Sequence, residues 1–216
     1  MFRQLWIAFL RLAFHLFYNP FAFTYDWVSA FVSRGHWRAW TRAALPHILG
    51  SRVLDLPCGT GNLLLDLGAA GYAPVGVDLS APMLALTRRK IQRANHRATL
   101  MRARVETLPL ADHAFDSIVM TFPPGFVRDP RALAELHRVL VPGGRLIWVD
   151  GGRLLPLDAW SRTLDAALDA VSGGATPFAD FARAVLTRAG FAVHVEIAHD
   201  DASIVSVVIA TKGMAV

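Results

Sequence analysis

The stretch Val53-Leu54-Asp55-Leu56-Pro57-Cys58-Gly59-Thr60-Gly61-Asn62 decides the fold. Its first residues are apolar and suited to a strand, its middle is a tight turn with two glycines, and a helical pattern begins at Asn62. In an open α/β sheet, ligands bind at the carboxyl ends of strands, where such a turn sits. Glycines let the backbone approach a ligand closely and adopt positive φ. A dinucleotide-binding turn would place a third glycine at position 64, where this chain has Leu64. Gly-Lys-Ser/Thr occurs nowhere, which excludes an ATP-cradling loop. Asp55 discriminates further: a carboxylate at the strand end repels a pyrophosphate and suits a ligand carrying an ammonium group.

Working outward, the spacing predicts strands over 52–56, 73–78, 99–104, 115–121 and 145–150, with helices over 62–70, 82–97 and 130–139. That alternation makes βαβ units and a parallel sheet. The tail reads differently: helices over 157–171 and 177–189, then strands over 191–198 and 204–211. The short link His199-Asp200-Asp201-Ala202-Ser203 cannot make a parallel crossover, so the last strand enters antiparallel. The second strand ends in Asp78, about twenty residues past the glycines, where an acid takes the two hydroxyls of an adenosine ribose. A ligand with a ribose, an ammonium and no phosphate points to S-adenosylmethionine.

The chain has 216 residues, enough for one domain with a small appendage, and its 54% hydrophobic content excludes disorder of the whole. A lone cysteine, Cys58, excludes an internal disulfide framework and fits a reducing cytoplasm. The net charge of +5 is all in residues 1–52, which hold six arginines and one acid, Asp26. The remaining residues balance sixteen bases with sixteen acids, so the body is neutral and nucleic acid is not an expected partner. Thirteen of the 22 aromatic residues lie in the first forty positions. Arg3 and Arg11 interrupt the apolar run 2–18, which falls short of the length needed to span a bilayer and shows no clear signal-peptide pattern. A helix there lies in a membrane interface or under protein. Arg34, Arg38 and Arg42 line one face of a further helical segment, with Trp37 and Trp40 on another.

Four ordered stretches carry a family resemblance: 53–61, Gly76 to Leu84, Leu108 to Asp116 and Glu135 to Leu146, the last including Arg138-Val139-Leu140-Val141-Pro142-Gly143-Gly144. Residues 53–150 resemble a class I S-adenosylmethionine-dependent methyltransferase of the ubiquinone/menaquinone-biosynthesis type. The resemblance implies a doubly wound α/β fold, a seven-stranded, mostly parallel sheet with an antiparallel last strand. It assigns 51–216 to the cofactor-binding domain and 1–50 to a helical lid that caps the substrate. It implies S-adenosyl-L-methionine as cofactor and S-adenosyl-L-homocysteine as product. By position, Asp55, Gly59 and Gly61 hold the methionine end with Pro57 in their turn, and Asp78 takes the ribose. Leu79 and Met83 pack near the adenine, Val105 and Glu106 lie beside the base, and Thr121 and Phe122 line the methyl face. Two positions depart from the family: Pro57 replaces the first loop glycine, and Arg104 replaces the acid near the adenine amino group.

Phe122-Pro123-Pro124-Gly125-Phe126 lacks the polar acceptor that a nucleic-acid amino-methyltransferase box needs, so it is read as an apolar floor under the substrate. No histidines or acids stand at metal-ligand spacing, so no metal is expected. His15, His36, Tyr25 and Asp26 form the pool for substrate orientation or a general base. The expected activity is in-line methyl transfer to a lipophilic small molecule: a quinone precursor, lipid or polyketide-like metabolite. Two alternatives stay open: a polar acceptor with a dimerising N-terminus, and a non-catalytic cofactor-binding partner protein. The expected location is the cytoplasm, with peripheral contact to the inner face of the membrane through residues 1–18.

Overall fold

The computed structural model describes residues 21–155 and 178–214. The apolar run 2–18, with His15, and the helix expected over 157–171 lie outside the described residues.

Seven strands form one sheet: β1 (Val53–Asp55), β2 (Val75–Asp78), β3 (Thr99–Arg102), β4 (Phe115–Thr121), β5 (Leu140–Leu154), β6 (Phe191–His199) and β7 (Ser203–Lys212). Their order is β3-β2-β1-β4-β5-β7-β6. The five strands from β3 to β5 are parallel, and β7 runs antiparallel between β5 and β6. The helices are α1 (Tyr25–Val32), α2 (Trp37–Arg42), α3 (Asn62–Ala69), α4 (Ala81–Arg93), α5 (Pro130–Val139) and α6 (Phe178–Arg188). The doubly wound sheet with its antiparallel last strand is therefore as expected.

Two elements depart from their predicted bounds by more than two residues. The helix expected to reach residue 97 stops at Arg93, because Asn95 adopts φ +53 and the His96 N–H donates to the Ile91 carbonyl. An asparagine in the left-handed region is a common way to close a helix. The strand expected at 145 starts at Leu140, directly after α5, since Leu140 pairs with Phe115 before the register shifts. Gly143, at φ +75, carries the strand through that irregularity.

Alternation along the central strands sends side chains to two cores. Ile118, Met120 and Trp148 pack on one face with Leu136 of α5 and Leu186 of α6. Val119, Ile147 and Val149 pack on the other with Leu64 and Leu67 of α3 and with Trp40 of α2. Trp40 fixes α2 to the sheet: its ring lies where a Cβ on Gly152 would come within 2.6 Å, and its Nε1–H donates to Ser203 Oγ at 2.9 Å. Arg38 and Arg42 of the predicted basic stripe both meet Asp66 of α3, at 2.8 and 3.8 Å. The amino-terminal helices are thus held against the sheet's carboxyl edge and α3.

Candidate active site

The turn after β1 is tied to both neighbouring strands. The Leu56 N–H donates to the Val119 carbonyl of β4, and the Cys58 N–H to the Val77 carbonyl of β2. Gly59 and Gly61 both take positive φ, +52 and +81. A Cβ on Gly61 would come within 2.5 Å of Thr87 Cγ2, whereas one on Gly59 would point into open space. Thr87 supports the turn from α4 by donating to the Gly59 carbonyl at 2.7 Å.

Two buried carboxyls lie at the strand ends. Asp78 accepts from the Gly59 and Ser80 N–H groups, each at 2.8 Å. Burial pushes its carboxyl above the usual range, and these backbone donors offset part of that rise. Asp55 is almost fully buried, and neither of its oxygens has a hydrogen-bond partner. Burial first, and then the neighbouring Asp78 charge, push it well above the usual carboxylate range. A buried carboxyl without partners is costly to keep ionised, and a positive charge placed nearby would lower that cost.

Beside the turn opens a cavity of about 540 Å3, within the range of sites that enclose a small molecule. Pro57, Gly59, Asp78, Leu79, Val105, Glu106 and Thr121 line it, as does Tyr25. Asp55, Gly61 and Met83 do not reach it: Met83 is fully buried, its N–H capped by Ser80 Oγ.

Of the proposed catalytic pool, only Tyr25 among the described residues faces the cavity. Asp26 instead accepts from Thr60 Oγ1 at 2.6 Å, Asn62 Nδ2 at 3.0 Å and Lys90 Nζ at 2.5 Å. Burial raises its carboxyl, but the Lys90, Thr60 and Asn62 donors outweigh this and hold it below the usual range. Asp26 therefore pins α1 onto the turn and α4. His36 lies off the cavity, its Nδ1 at 2.9 Å from Asp200 Oδ2.

The far wall is aromatic. Trp37 stacks on Phe122 with centroids 4.1 Å apart, and Tyr25 meets Trp37 edge-on at 6.1 Å. Phe122 holds φ +48, a conformation bulky residues rarely adopt, which turns the chain out of β4 at the cavity. Pro124 and Phe126 continue this wall. At the opposite end Arg102 Nε donates to the Leu79 carbonyl at 3.0 Å, and Arg104 pairs with Glu106 at 3.2 Å.

The sequence reading did not single out Trp37, Thr60, Asn62, Lys90 or Arg102 as site residues. Lys90 had a legible signal: Met83, Thr87 and Lys90 recur at the spacing of one helix face. Trp37 had only its place opposite the arginine stripe, since its stack with Phe122 joins residues 85 positions apart.

Residues 53–144 match a family described as a methyltransferase domain. The chain is 36% identical over 146 residues to a demethylmenaquinone methyltransferase from Symbiobacterium thermophilum, covering 63% of this chain and 58% of that protein. It is 38% identical over 136 residues to the demethylmenaquinone methyltransferase of Thermus thermophilus, covering 60% and 62%. The alignments thus span about three fifths of these relatives' lengths. A solved S-adenosylmethionine-dependent methyltransferase from Thermotoga maritima superposes with a TM-score of 0.66 at 23% identity, over 92% of this chain and 98% of that one.

Proposed function

We propose that the chain is a class I S-adenosylmethionine-dependent methyltransferase that methylates a lipophilic small molecule of the quinone-precursor class, a reading supported by its match to a methyltransferase-domain family over residues 53–144 and by its likeness to demethylmenaquinone methyltransferases. The observation that carries this proposal is the wall of Tyr25, Trp37, Phe122, Pro124 and Phe126 that shares one cavity with the strand-end carboxyl of Asp78. A flat, apolar acceptor would pack against such rings and exclude water from the reacting atoms.

The residues present fit the family's cofactor. Bound S-adenosylmethionine supplies an electrophilic methyl on a sulfonium, together with an ammonium and a ribose diol. Asp78, already held by two backbone donors, has remaining lone pairs for the diol. The orphaned Asp55 provides negative charge behind the turn for the cationic end. Leu79, Ala103 and Val105 provide apolar contact for the base. Thr121, Phe122 and Tyr25 all line the cavity, which supports roles for the first two at the methyl face and for the Tyr25 phenol in orienting an acceptor hydroxyl. Tyr25, Trp37 and Thr41, which line this cavity, support a lid role for the part of the amino-terminal segment that carries them.

Calorimetry with S-adenosylhomocysteine, followed by turnover of a reduced demethylnaphthoquinone and of polar amines, tests the proposal. Binding together with preferential turnover of the quinol is expected. Binding without turnover of either, or preference for the amines, overturns it.

A further inference from the structure

We propose that the outer face of α1, with the turn before it, docks on an anionic bilayer surface, so that the cavity beneath takes its acceptor directly from the lipid. This rests on the lipophilic-acceptor reading for what enters the cavity, but the surface itself is argued from its own residues.

Phe23, Trp27 and Phe31 recur every four residues and form one stripe, exposed by 64%, 81% and 66%. Phe21 and Val28 flank them and are exposed as well. Five of the nine large exposed hydrophobic residues among the described residues therefore sit on one short stretch of chain. Scattered exposed apolar residues need no explanation, but a contiguous aromatic patch marks a surface that meets another phase or partner.

Charge selects the partner. The one acid of α1, Asp26, is turned inward onto Lys90, so the outer face carries no carboxylate. On α2, Arg38 and Arg42 share the single carboxylate of Asp66, which is only 6% exposed, while both guanidiniums remain more than half exposed. One buried acid beneath two outward cations leaves positive charge at the surface. Exposed rings and exposed guanidiniums on two consecutive helices suit the boundary between acyl chains and anionic headgroups. A second copy of the chain meeting this face about a two-fold axis would bring those arginines toward their own equivalents. No described helix is long and apolar enough to cross a membrane, so the contact is one of lying on the surface.

The placement of the cavity completes the inference. The same two helices that turn Trp27, Arg38 and Arg42 outward turn Tyr25, Trp37 and Thr41 inward to line it. A bilayer-facing roof above an apolar cavity gives a lipophilic acceptor a path that avoids water.

The test is co-sedimentation of the full chain with vesicles of phosphatidylcholine alone or with about one third phosphatidylglycerol. It compares wild type, the triple variant Phe23→Ser/Trp27→Ser/Phe31→Ser, and a chain lacking residues 1–18. Gel filtration and calorimetry with S-adenosylhomocysteine are run on each. Wild type should partition to the anionic vesicles, and more weakly in high salt. The triple variant should lose at least about thirtyfold in partition coefficient while keeping cofactor affinity. Absence of wild-type partitioning overturns the inference, as does wild-type partitioning by the triple variant. A triple variant that changes only the oligomeric state assigns the face to a second copy and also overturns it. Vesicle binding without any S-adenosylhomocysteine binding would instead sink the methyltransferase reading and leave the docking surface standing.

Discussion

Replacing Asp55 by Asn should stabilise the fold and weaken cofactor binding at the same time. The side chain is 1% exposed, both oxygens lack partners, and burial together with Asp78 raises its carboxyl well above the ordinary value of 3.8. A group whose folded pKa is raised costs stability that grows as pH climbs from the unfolded pKa toward the folded one. Each pH unit over which the folded carboxyl stays protonated above its ordinary range costs about 1.36 kcal/mol of stability. Asparagine avoids that cost but buries an amide with few partners, at about 1–3 kcal/mol. Because the wild-type carboxyl leaves its own polar atoms unpartnered as well, the net expectation is a gain on the order of 1 kcal/mol near neutrality, or roughly 2–4 °C in melting temperature for a chain of this size. The gain should shrink as pH falls toward 3.8, below which the wild-type carboxyl is protonated in both states. In cofactor binding the sign reverses. A sulfonium and ammonium favour ionised Asp55, so wild type should release protons on binding and bind more tightly as pH rises. Asp55→Asn should lose about tenfold in affinity along with that pH dependence. Thermal melts from pH 4.5 to 8, and calorimetry in buffers of different ionisation enthalpy, read both effects. A variant that melts lower than wild type, or gains by the same amount at every pH, would refute the burial argument.

Lys90→Met or Asp26→Asn should free α1 from the turn. The bonds are charge-assisted but partly solvent-screened, so about 1–2 kcal/mol of local stability should go, read as faster hydrogen exchange over 21–42. Because Asp26 is held below the usual carboxylate range, that stability is present above the unfolded pKa and should be lost as pH falls through the folded one. Gly61→Ala should destabilise by about 2–4 kcal/mol, since φ is +81 and the new Cβ would come 2.5 Å from Thr87 Cγ2. Gly59→Ala, with φ +52 but open space before it, should cost only about 1 kcal/mol in a melt and yet block cofactor binding. Phe122→Ala removes the stacked partner of Trp37 and should raise the acceptor KM about tenfold without changing the affinity for S-adenosylhomocysteine.

The fold was legible because its signals are local. Strand, glycine turn and helix at 53–62 fall within one window, and the short link before β7 dictates an antiparallel entry whatever surrounds it. The misjudged ends were settled by neighbours or by single backbone angles. Leu140 became strand by pairing with Phe115, and Asn95 closed α4 by taking positive φ. Periodicity carries neither kind of information.

The site was legible only where backbone position fixes a side chain's place. Asp78, Leu79, Val105 and Thr121 lie at strand ends or just beyond them, and parallel-sheet geometry brings all of those ends to one edge. The amino-terminal segment offered no such frame. Tyr25 and Asp26 are neighbours in sequence, but successive residues on a helix point about a hundred degrees apart. One therefore faces the cavity and the other the latch on Thr60, Asn62 and Lys90. Choosing between them requires knowing how α1 lies across α3 and α4, which is a long-range packing outcome. The same limit bears on the basic charge of the first quarter. Sequence counts six arginines there, but only tertiary contacts reveal that Arg38 and Arg42 share Asp66 and that Arg52 pairs with Asp116. Among the described residues, what reaches the surface is the excess that those acids leave, on the helix that follows Trp27 in the chain and lines the cavity with Trp37 and Thr41. The position of that excess, more than its size, ties the charge of this chain to the way an acceptor would arrive.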